Sequence, residues 1–356
     1  MSCSFGSKYK ITLFGQSHSE AIGVVIEGVP AGIRLDTDAI EAFMRRRAPG
    51  QGVHTTARKE ADTPQILSGV VGGVTCGAPL CAVIANTNAR SGDYDALKNR
   101  PRPGHADFTA FEKFGGSADM RGGGMFSGRM TAPLCFAGAV AKQILAADGV
   151  TIGAHIARLA KIDDTPFDPV NVDVQTLNAI AQKAFPVQND DAGSAMLAAI
   201  AAAKDEGDSV GGVIECAAIG VPAGWGEPIF DGAENIIAHL VFGIPAVKGI
   251  EFGSGFDGAD LFGSENNDPF SVKNGKVVTA ANNHGGALGG ITSGMPLLFR
   301  AAIKPTPSIA KPQTTVNLQT LREETITVGG RHDPCIVPRA VPCMEAAMAV
   351  ALINLR

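Results

Sequence analysis

Apolar residues recur along this chain at two spacings. In "DAIEAFMRRR", Ile40, Phe43 and Met44 fall three and four residues apart and share one helical face, with Thr37 placed to cap its start. Arg45, Arg46 and Arg47 close that helix, where cations suit the dipole. "TAPLCFAGAVAKQILAAD" (131–148) has Pro133 in its first turn and Gly149 just past its end, the usual asymmetry of helix boundaries. Further helices are predicted at "SAMLAAIAAAKDEG" (194–207) and at "VPCMEAAMAVALINL" (341–355), the latter with Pro342 near its start. Val- and Ile-rich runs bounded by Gly or Pro predict strands at 10–14, 23–27, 66–71, 80–85, 152–157, 212–219, 276–280 and 297–303.

Strands and helices do not alternate strictly, so a doubly wound parallel sheet is not implied. The expected class is α+β, with sheets packed against helices. No Pro/Ser-rich linker divides the chain, and residues 1–356 are expected to form a single domain. Two echoes point to related halves within it. "GGVTCGAPL" (72–80) returns as "GGITSGMPL" (289–297), and "GVVIEGVPAG" (23–32) as "GVIECAAIGVPAG" (212–224).

A formal net charge of −5 argues against a nucleic-acid partner or an anionic membrane surface. The positive charges are nonetheless clustered. Arg45, Arg46, Arg47, Arg58 and Lys59 follow one another with no acid between them. That run suits either a solvated helix end or a small polyanionic ligand. The seven cysteines show no C-x2-C spacing, and Cys81 and Cys135 sit in apolar runs, as thiols buried in a reducing compartment do. The N-terminus lacks an apolar signal core, and "AMLAAIAAA" (195–203) is too short to span a bilayer. A cytoplasmic location is expected.

Common cofactor and nucleophile motifs are missing. There is no Walker A loop, no Gly-x-Gly-x-x-Gly after a strand, no zinc spacing and no nucleophile elbow. No metal is expected. What stands out is a set of polar, glycine-flanked stretches. "FGQSHSEA" carries His18 just after a strand, and "RPGHAD" carries His105 between an arginine and Asp107. "MRGGGMFSGRMTA" leads into a helix, where free backbone N–H groups can hold an anion. "KPTPSI" has Lys304 at its head, and "GRHDPC" joins Arg331, His332 and Asp333. The whole stretch "RPGHADFTAFEKFGGSADMRGGG" shows no helical spacing and is expected to be loop. Taken singly, each feature is an ordinary turn or loop histidine, as for His54, His155 and His239. Together they suit a phosphorylated, carboxylated ligand, because arginine pairs bidentately with both groups.

In this order the stretches resemble chorismate synthase. The resemblance runs from "FGQSHSEAIGVVIEGVPAGIRL" through "RRRAPG", "RPGHADFTAFEKFGG", "RGGG", "EGDSVGG", "GVPAGWGEPIFD", "IPAVKGIEFG", "NNHGGALGGITSGMPL" and "KPTPSI" to "GRHDPCIVPRAVPCMEAAMA", nearly the whole chain. It implies a β-α-β sandwich, two antiparallel sheets around a helical layer, assembled as a homotetramer. It also implies a lyase of aromatic amino acid biosynthesis that eliminates phosphate from 5-enolpyruvylshikimate 3-phosphate to give chorismate. Reduced FMN is required without net redox change, and NADPH is a possible source of the reductant. By the same resemblance, His18 assists the leaving phosphate, His105 sits by the flavin ring, and Asp333 acts in a proton relay. Arg47 falls in the family's basic loop. Ser127, Ala246, Gly289, Lys304, Pro305, Thr306, Pro307, Ser308 and Arg331 fall at flavin-contact positions.

Four places depart from the family pattern. Gln16 and Ser19 replace a glutamate and a glycine of "GESHG". Met125 and Phe126 begin a segment that reads "RSSARET" in the family, and Val53 stands where an arginine is expected. A pocket short of one or two cations leaves a second reading open, a non-catalytic binder of flavin or phosphoanions.

Overall fold

Two five-stranded antiparallel sheets enclose a layer of helices in the computed structural model, which describes residues 3–50, 60–87, 99–329 and 333–356. The first sheet contains β1 (Ser4–Phe5), β2 (Lys10–Gly15), β3 (Ala21–Glu27), β4 (Gln65–Ser68) and β5 (Leu80–Ala85), in the order β1-β2-β3-β5-β4. The second contains β6 (Thr151–Leu159), β7 (Ile162–Asp163), β8 (Gly212–Ile219), β9 (Val247–Phe252) and β10 (Leu297–Ile303), in the order β9-β10-β8-β6-β7. Alternation explains the burial. Ile22, Val24 and Ile26 of β3 and Leu80, Ala82 and Ile84 of β5 are buried facing the helices. In the second sheet both faces are covered. Ile214, Cys216, Phe299 and Ala301 face the central core, whereas Ala217 and Leu298 face a smaller cluster with Leu177 and Ile180.

The helices are α1 (Thr37–Arg47), α2 (Asp107–Phe114), α3 (Thr131–Ala147), α4 (Val174–Gln182), α5 (Asp190–Asp205), α6 (Ala233–Phe242) and α7 (Val337–Leu355). The inner layer is built on α3 and α7. A Cβ on Gly138 of α3 would lie 2.3 Å from the Cβ of Ala346 on α7, so only glycine lets the two backbones approach this closely. Gly128–Ala147 is long and apolar enough to cross a membrane, yet most of it is buried between the sheets.

The predicted elements are largely present, with shifted edges. Asp36, not Thr37, caps α1, its carboxylate accepting from the Ala39 amide at 2.9 Å. Helix α5 starts four residues early because the Asn189 side chain caps it. Helix α7 likewise starts before Pro342, with Pro338 in its first turn. An internal proline there costs one backbone hydrogen bond, which packing between two sheets offsets. The predicted strand 66–71 is interrupted at Gly69, and the strand at 276–280 belongs to an exposed hairpin outside both sheets. Helix α2 lies within the stretch expected to be loop. Only Ala110 of it is buried, so it carries too narrow an apolar stripe to announce itself.

Three consecutive arginines at the end of α1 meet three different fates, as side chains about 100° apart on a helix must. Arg45 points to solvent. Arg46 turns inward to Glu345 of α7, with contacts of 2.6 and 3.1 Å. Lys142 of α3 also donates to Glu345 and to the carbonyl of Ile152 on β6, at 2.9 Å for the latter. Burial alone would raise the Glu345 pKa, but Arg46 and Lys142 outweigh it and hold the group ionised. One buried carboxylate thus pins α1, α3 and α7 together.

A second buried cluster ties loops to the second sheet. His155 of β6 contacts Asp164 through Nδ1 and Glu215 of β8 through Nε2, both at 2.9 Å. Carboxylates only accept, so both ring nitrogens carry protons. The carboxylates also accept from the Gln188, Asn189 and Phe167 amides. Burial lowers the His155 pKa, but Asp164 and Glu215 reverse this and raise it. The stabilisation is fully present below the unfolded value, about 6.5, and is lost as pH rises through the higher folded value. Over that window the unfolding free energy is expected to fall by up to about 1.4 kcal/mol per pH unit. Urea titrations across the range check this, and His155→Gln should remove that part of the slope.

Candidate active site

A cavity of about 660 Å³ opens at one end of the helical layer, a size ordinary for small-molecule sites. Six cations line it (Arg47, Arg102, Arg129, Arg339, Lys248 and Lys304), against the carboxylates Glu60 and Asp333. Met125, Phe126, Ile244, Ala246, Ile336 and Ala340 supply an apolar wall. The surplus of positive charge suits a polyanion, and the apolar wall suits a flat ring beside it.

The cations are held in place from behind. Asp62 bridges Arg47 and Arg129, accepting a short hydrogen bond from each. Burial would raise the Asp62 pKa, but the two guanidiniums lower it. Arg47 also donates to Thr131 Oγ1 at 3.1 Å and to the Gly128 carbonyl at 3.0 Å. Arg129 reaches Asn86 at 2.9 Å and Glu60 at 3.4 Å. Arg339 of α7 joins the group, 2.6 Å from Asp333 and 3.0 Å from the Arg47 carbonyl. Lys304 donates to the Gly104 carbonyl, and burial together with Lys248 lowers its pKa.

His105 is oriented by its neighbours. Its Nδ1 is 2.7 Å from Asp107 Oδ1. Arg102 donates to Asp107 at 2.7 and 2.8 Å, and to Ser308 Oγ at 3.3 Å. Burial raises the Asp107 pKa, but hydrogen bonds from Arg102 and His105 hold it well below the carboxylate range. An ionised carboxylate accepts only, so the proton sits on Nδ1, and Nε2 faces the other way. There it meets the glycine triplet.

The triplet is a spacer between two histidines. Gly122, Gly123 and Gly124 have φ of 61°, 90° and 56°, a left-handed run that other residues rarely adopt. A Cβ on Gly122 would lie 2.6 Å from His18 Nε2 and 2.7 Å from Ser17 Oγ. One on Gly123 would lie 3.2 Å from His105 Nε2, and one on Gly124 only 2.0 Å from the Asp119 carbonyl oxygen. Side chains here would push His18 and His105 away from the loop. Ser17 Oγ and Thr306 Oγ1 are buried with no hydrogen-bond partner among the described residues, and Thr306 lines the cavity.

Most of the residues expected from the sequence converge here. Arg47, His105, Ser127, Ala246, Lys304, Thr306, Pro307, Ser308 and Asp333 all line the cavity. His18 stands behind Gly122 instead of lining it directly. Pro305 is exposed, and Gly289 is exposed at the tip of a small hairpin away from the cavity. Arg331, His332, Val53 and His54 lie outside the described residues. Sequence reasoning left unassigned Arg102, Asp107, Arg339, and the acids Glu60 and Asp62. The first two stand inside "RPGHAD" and were visible as neighbours of His105. Arg339 carries no local signal.

The departures from the family pattern also find places. Ser19 accepts from the Gln16 amide at 2.9 Å and closes the turn that presents His18. Met125 and Phe126 contribute apolar cavity wall, while Arg129 remains in the cavity. A cation restored by Met125→Arg is expected to tighten FMN binding about ten- to hundredfold, the effect of one charge-assisted contact. Fluorescence titration of FMN measures it; an unchanged dissociation constant would place the ligand elsewhere.

Comparison with known proteins agrees with this geometry. The sequence pattern of the chorismate synthase family matches residues 9–356. A chorismate synthase of Lancefieldella parvula is 47% identical, covering 99% of this chain and 96% of that protein. One from Korarchaeum cryptofilum is 45% identical over 98% of this chain and 96% of its own length. A crystal structure of chorismate synthase superposes with a TM-score of 0.76 at 26% identity, covering 99% of this chain and 92% of the other. With the pattern matched over almost its full length and the sandwich shared, the chain belongs to the chorismate synthase family.

Proposed function

We propose that this protein is an active lyase that converts 5-enolpyruvylshikimate 3-phosphate to chorismate by 1,4-elimination of phosphate. The observation that carries the reading is the cation-lined cavity whose glycine loop is flanked by His18 and His105. The substrate has a phosphate and two carboxylates, and six lining cations match that demand.

The cavity also fits reduced FMN. Cations are available for its phosphate, apolar side chains for its ring, and the unpartnered Thr306 hydroxyl for a polar edge. When bound, reduced FMN supplies electron density to the substrate and takes it back, so no net oxidation occurs. The protein's own residues then have distinct tasks. His105, its Nδ1 held by Asp107, offers Nε2 beside the glycine loop for proton transfer. His18 assists the departing phosphate from behind Gly122. Asp333, paired with Arg339, serves the proton relay. Arg47, Arg129 and Lys304 hold anionic groups, and Ser127, Ala246, Thr306, Pro307 and Ser308 complete the wall; Gly289, Pro305 and Arg331 are carried from the family resemblance alone. NADPH enters this reading as a source of reductant.

The same reading includes a homotetramer in the cytoplasm, with no nucleic-acid or membrane partner. It also takes residues 1–356 as one domain of two related halves. In support, β2-β3-β5-β4 of the first sheet and β6-β8-β10-β9 of the second follow the same order; one echo begins on the equivalent strands β3 and β8, and the other leads into the equivalent strands β5 and β10.

An anaerobic assay with purified protein, reduced FMN and the enolpyruvyl substrate, with and without NADPH, tests the function. Release of phosphate and chorismate is expected. Flavin binding without turnover would overturn the reading in favour of a non-catalytic binder.

A further inference from the structure

The floor of the cavity holds two thiols that the elimination does not use. Cys343 of α7 and Cys135 of α3 place their Sγ atoms 3.8 Å apart. They lie one turn before the contact of Gly138 with Ala346, where the two helices run closest. The pair is unsymmetrical. Cys343 borders the cavity, while Cys135 is wholly enclosed. The Cys135 thiol, and then Arg47, Thr131 and Arg339, favour the Cys343 thiolate against the effect of burial and lower its pKa; as a thiol, Cys343 donates to the Arg339 carbonyl at 3.5 Å. Burial pushes Cys135 well up. The other cysteines differ: Cys335 is buried and pushed up to about 12, Cys216 is buried and raised, Cys81 is half-buried, and Cys3 and Cys76 are exposed. A cavity-lining thiol whose thiolate form nearby cations favour, with a second thiol 3.8 Å behind it, is the arrangement of an attacking and a resolving cysteine.

We propose that Cys343 and Cys135 form a reversible redox modification site at the cavity floor, with Cys343 meeting a peroxide and Cys135 resolving it to a disulfide. The Cys343 thiolate attacks one oxygen of hydrogen peroxide, the O–O bond breaks, and hydroxide leaves. Cys343 becomes a sulfenic acid. The Cys135 sulfur then attacks the Cys343 sulfur and gives up its proton, and the sulfenic oxygen departs as water. In sum, two thiols and one peroxide give one disulfide and two waters; a small dithiol reductant reverses the change by exchange. Closing the gap from 3.8 Å to a bond of about 2.05 Å reorients the Cys343 side chain beside Arg47 and Arg339. It also removes the ionisable Cys343 thiol beside those cations. Oxidation therefore alters the anion site without touching His105.

The test uses the intact, reduced protein treated with stoichiometric hydrogen peroxide, then denatured and alkylated. Alkylatable thiols should fall from the seven free cysteines by two, with the mass lower by two hydrogens and a single Cys135–Cys343 linked peptide. Dithiothreitol should restore all seven. Cys135→Val should stop the reaction at a dimedone-reactive Cys343, and Cys343→Val should abolish both products; circular dichroism verifies that the variants are folded. Oxidation of Cys3 and Cys76 while Cys135 and Cys343 stay alkylatable would overturn the proposal. So would a link between any other pair. The readout is mass, so it is independent of whether the elimination is observed.

Discussion

His105→Ala lowers turnover by about 10²- to 10⁴-fold while leaving the fold intact, the range typical when a positioned proton-transfer group is removed. Its Nδ1 is committed to Asp107 at 2.7 Å, which leaves Nε2 for chemistry beside Gly123. Asp107 keeps its hydrogen bonds from Arg102 when the imidazole is removed, so truncation costs little stability. The cavity-lining Arg47, Arg129 and Arg339 remain in place, because their partners are Asp62, Thr131, Asn86 and Asp333. The loss should therefore appear in kcat more than in KM. Anaerobic steady-state kinetics with reduced FMN, alongside a thermal melt, distinguish the outcomes. Near-normal kcat would remove His105 from the reaction, and a collapsed melt would make it structural.

Glu345→Ala has the largest expected effect on stability, a loss of about 3–5 kcal/mol, as for a buried ion pair that loses one partner. The variant strands Arg46 and Lys142 against the α3–α7 layer without a counter-charge. Lys142 keeps the Ile152 carbonyl, and both cations still approach the face of Phe43, at 4.8 Å for Lys142 and 5.5 Å for Arg46. Those contacts offset part of the penalty but do not replace a carboxylate. Urea unfolding followed by circular dichroism measures the change. A shift within about 0.5 kcal/mol, as at an ordinary surface site, would show that water or a rearranged side chain compensates. Turnover of the folded fraction should be unaffected, because Glu345 does not line the cavity.

Much of the architecture was legible because local patterns carry it. The apolar runs of β3, β5, β8 and β10, bounded by Gly or Pro, and the apolar stretch of α3 each stand out without their neighbours. So do the glycine and proline punctuation of the loops and the motifs that mark the family. The elements missed include the helices α2, α4 and α6 and the strand β9. Helix α2 buries only Ala110, and β9 begins at Val247, directly after Ala246, whose φ of 75° no sequence pattern announces. For the candidate site, the histidines, the Lys304 segment and Asp333 could be named from sequence. The residues that orient them could be named only where they were chain neighbours, as Arg102 and Asp107 are.

What the sequence by itself determined is therefore most of the sheet strands, the helices α1, α3, α5 and α7, the family, and the loops expected to carry chemistry, because hydrophobic period, turn residues and motif spacing are short-range properties. Tertiary structure decided which charge meets which. Arg46 and Arg47 are adjacent in the chain, yet one enters the core to Glu345 and the other borders the cavity beside Asp62. Cys135 and Cys343 are 208 residues apart and nearly touch. His18 and His105 come to one glycine loop from different parts of the fold. The physical reason is that the strength of an ion pair, and the state of a thiol or an imidazole, depend on distance and burial. Both are set by how the helical layer packs between the two sheets.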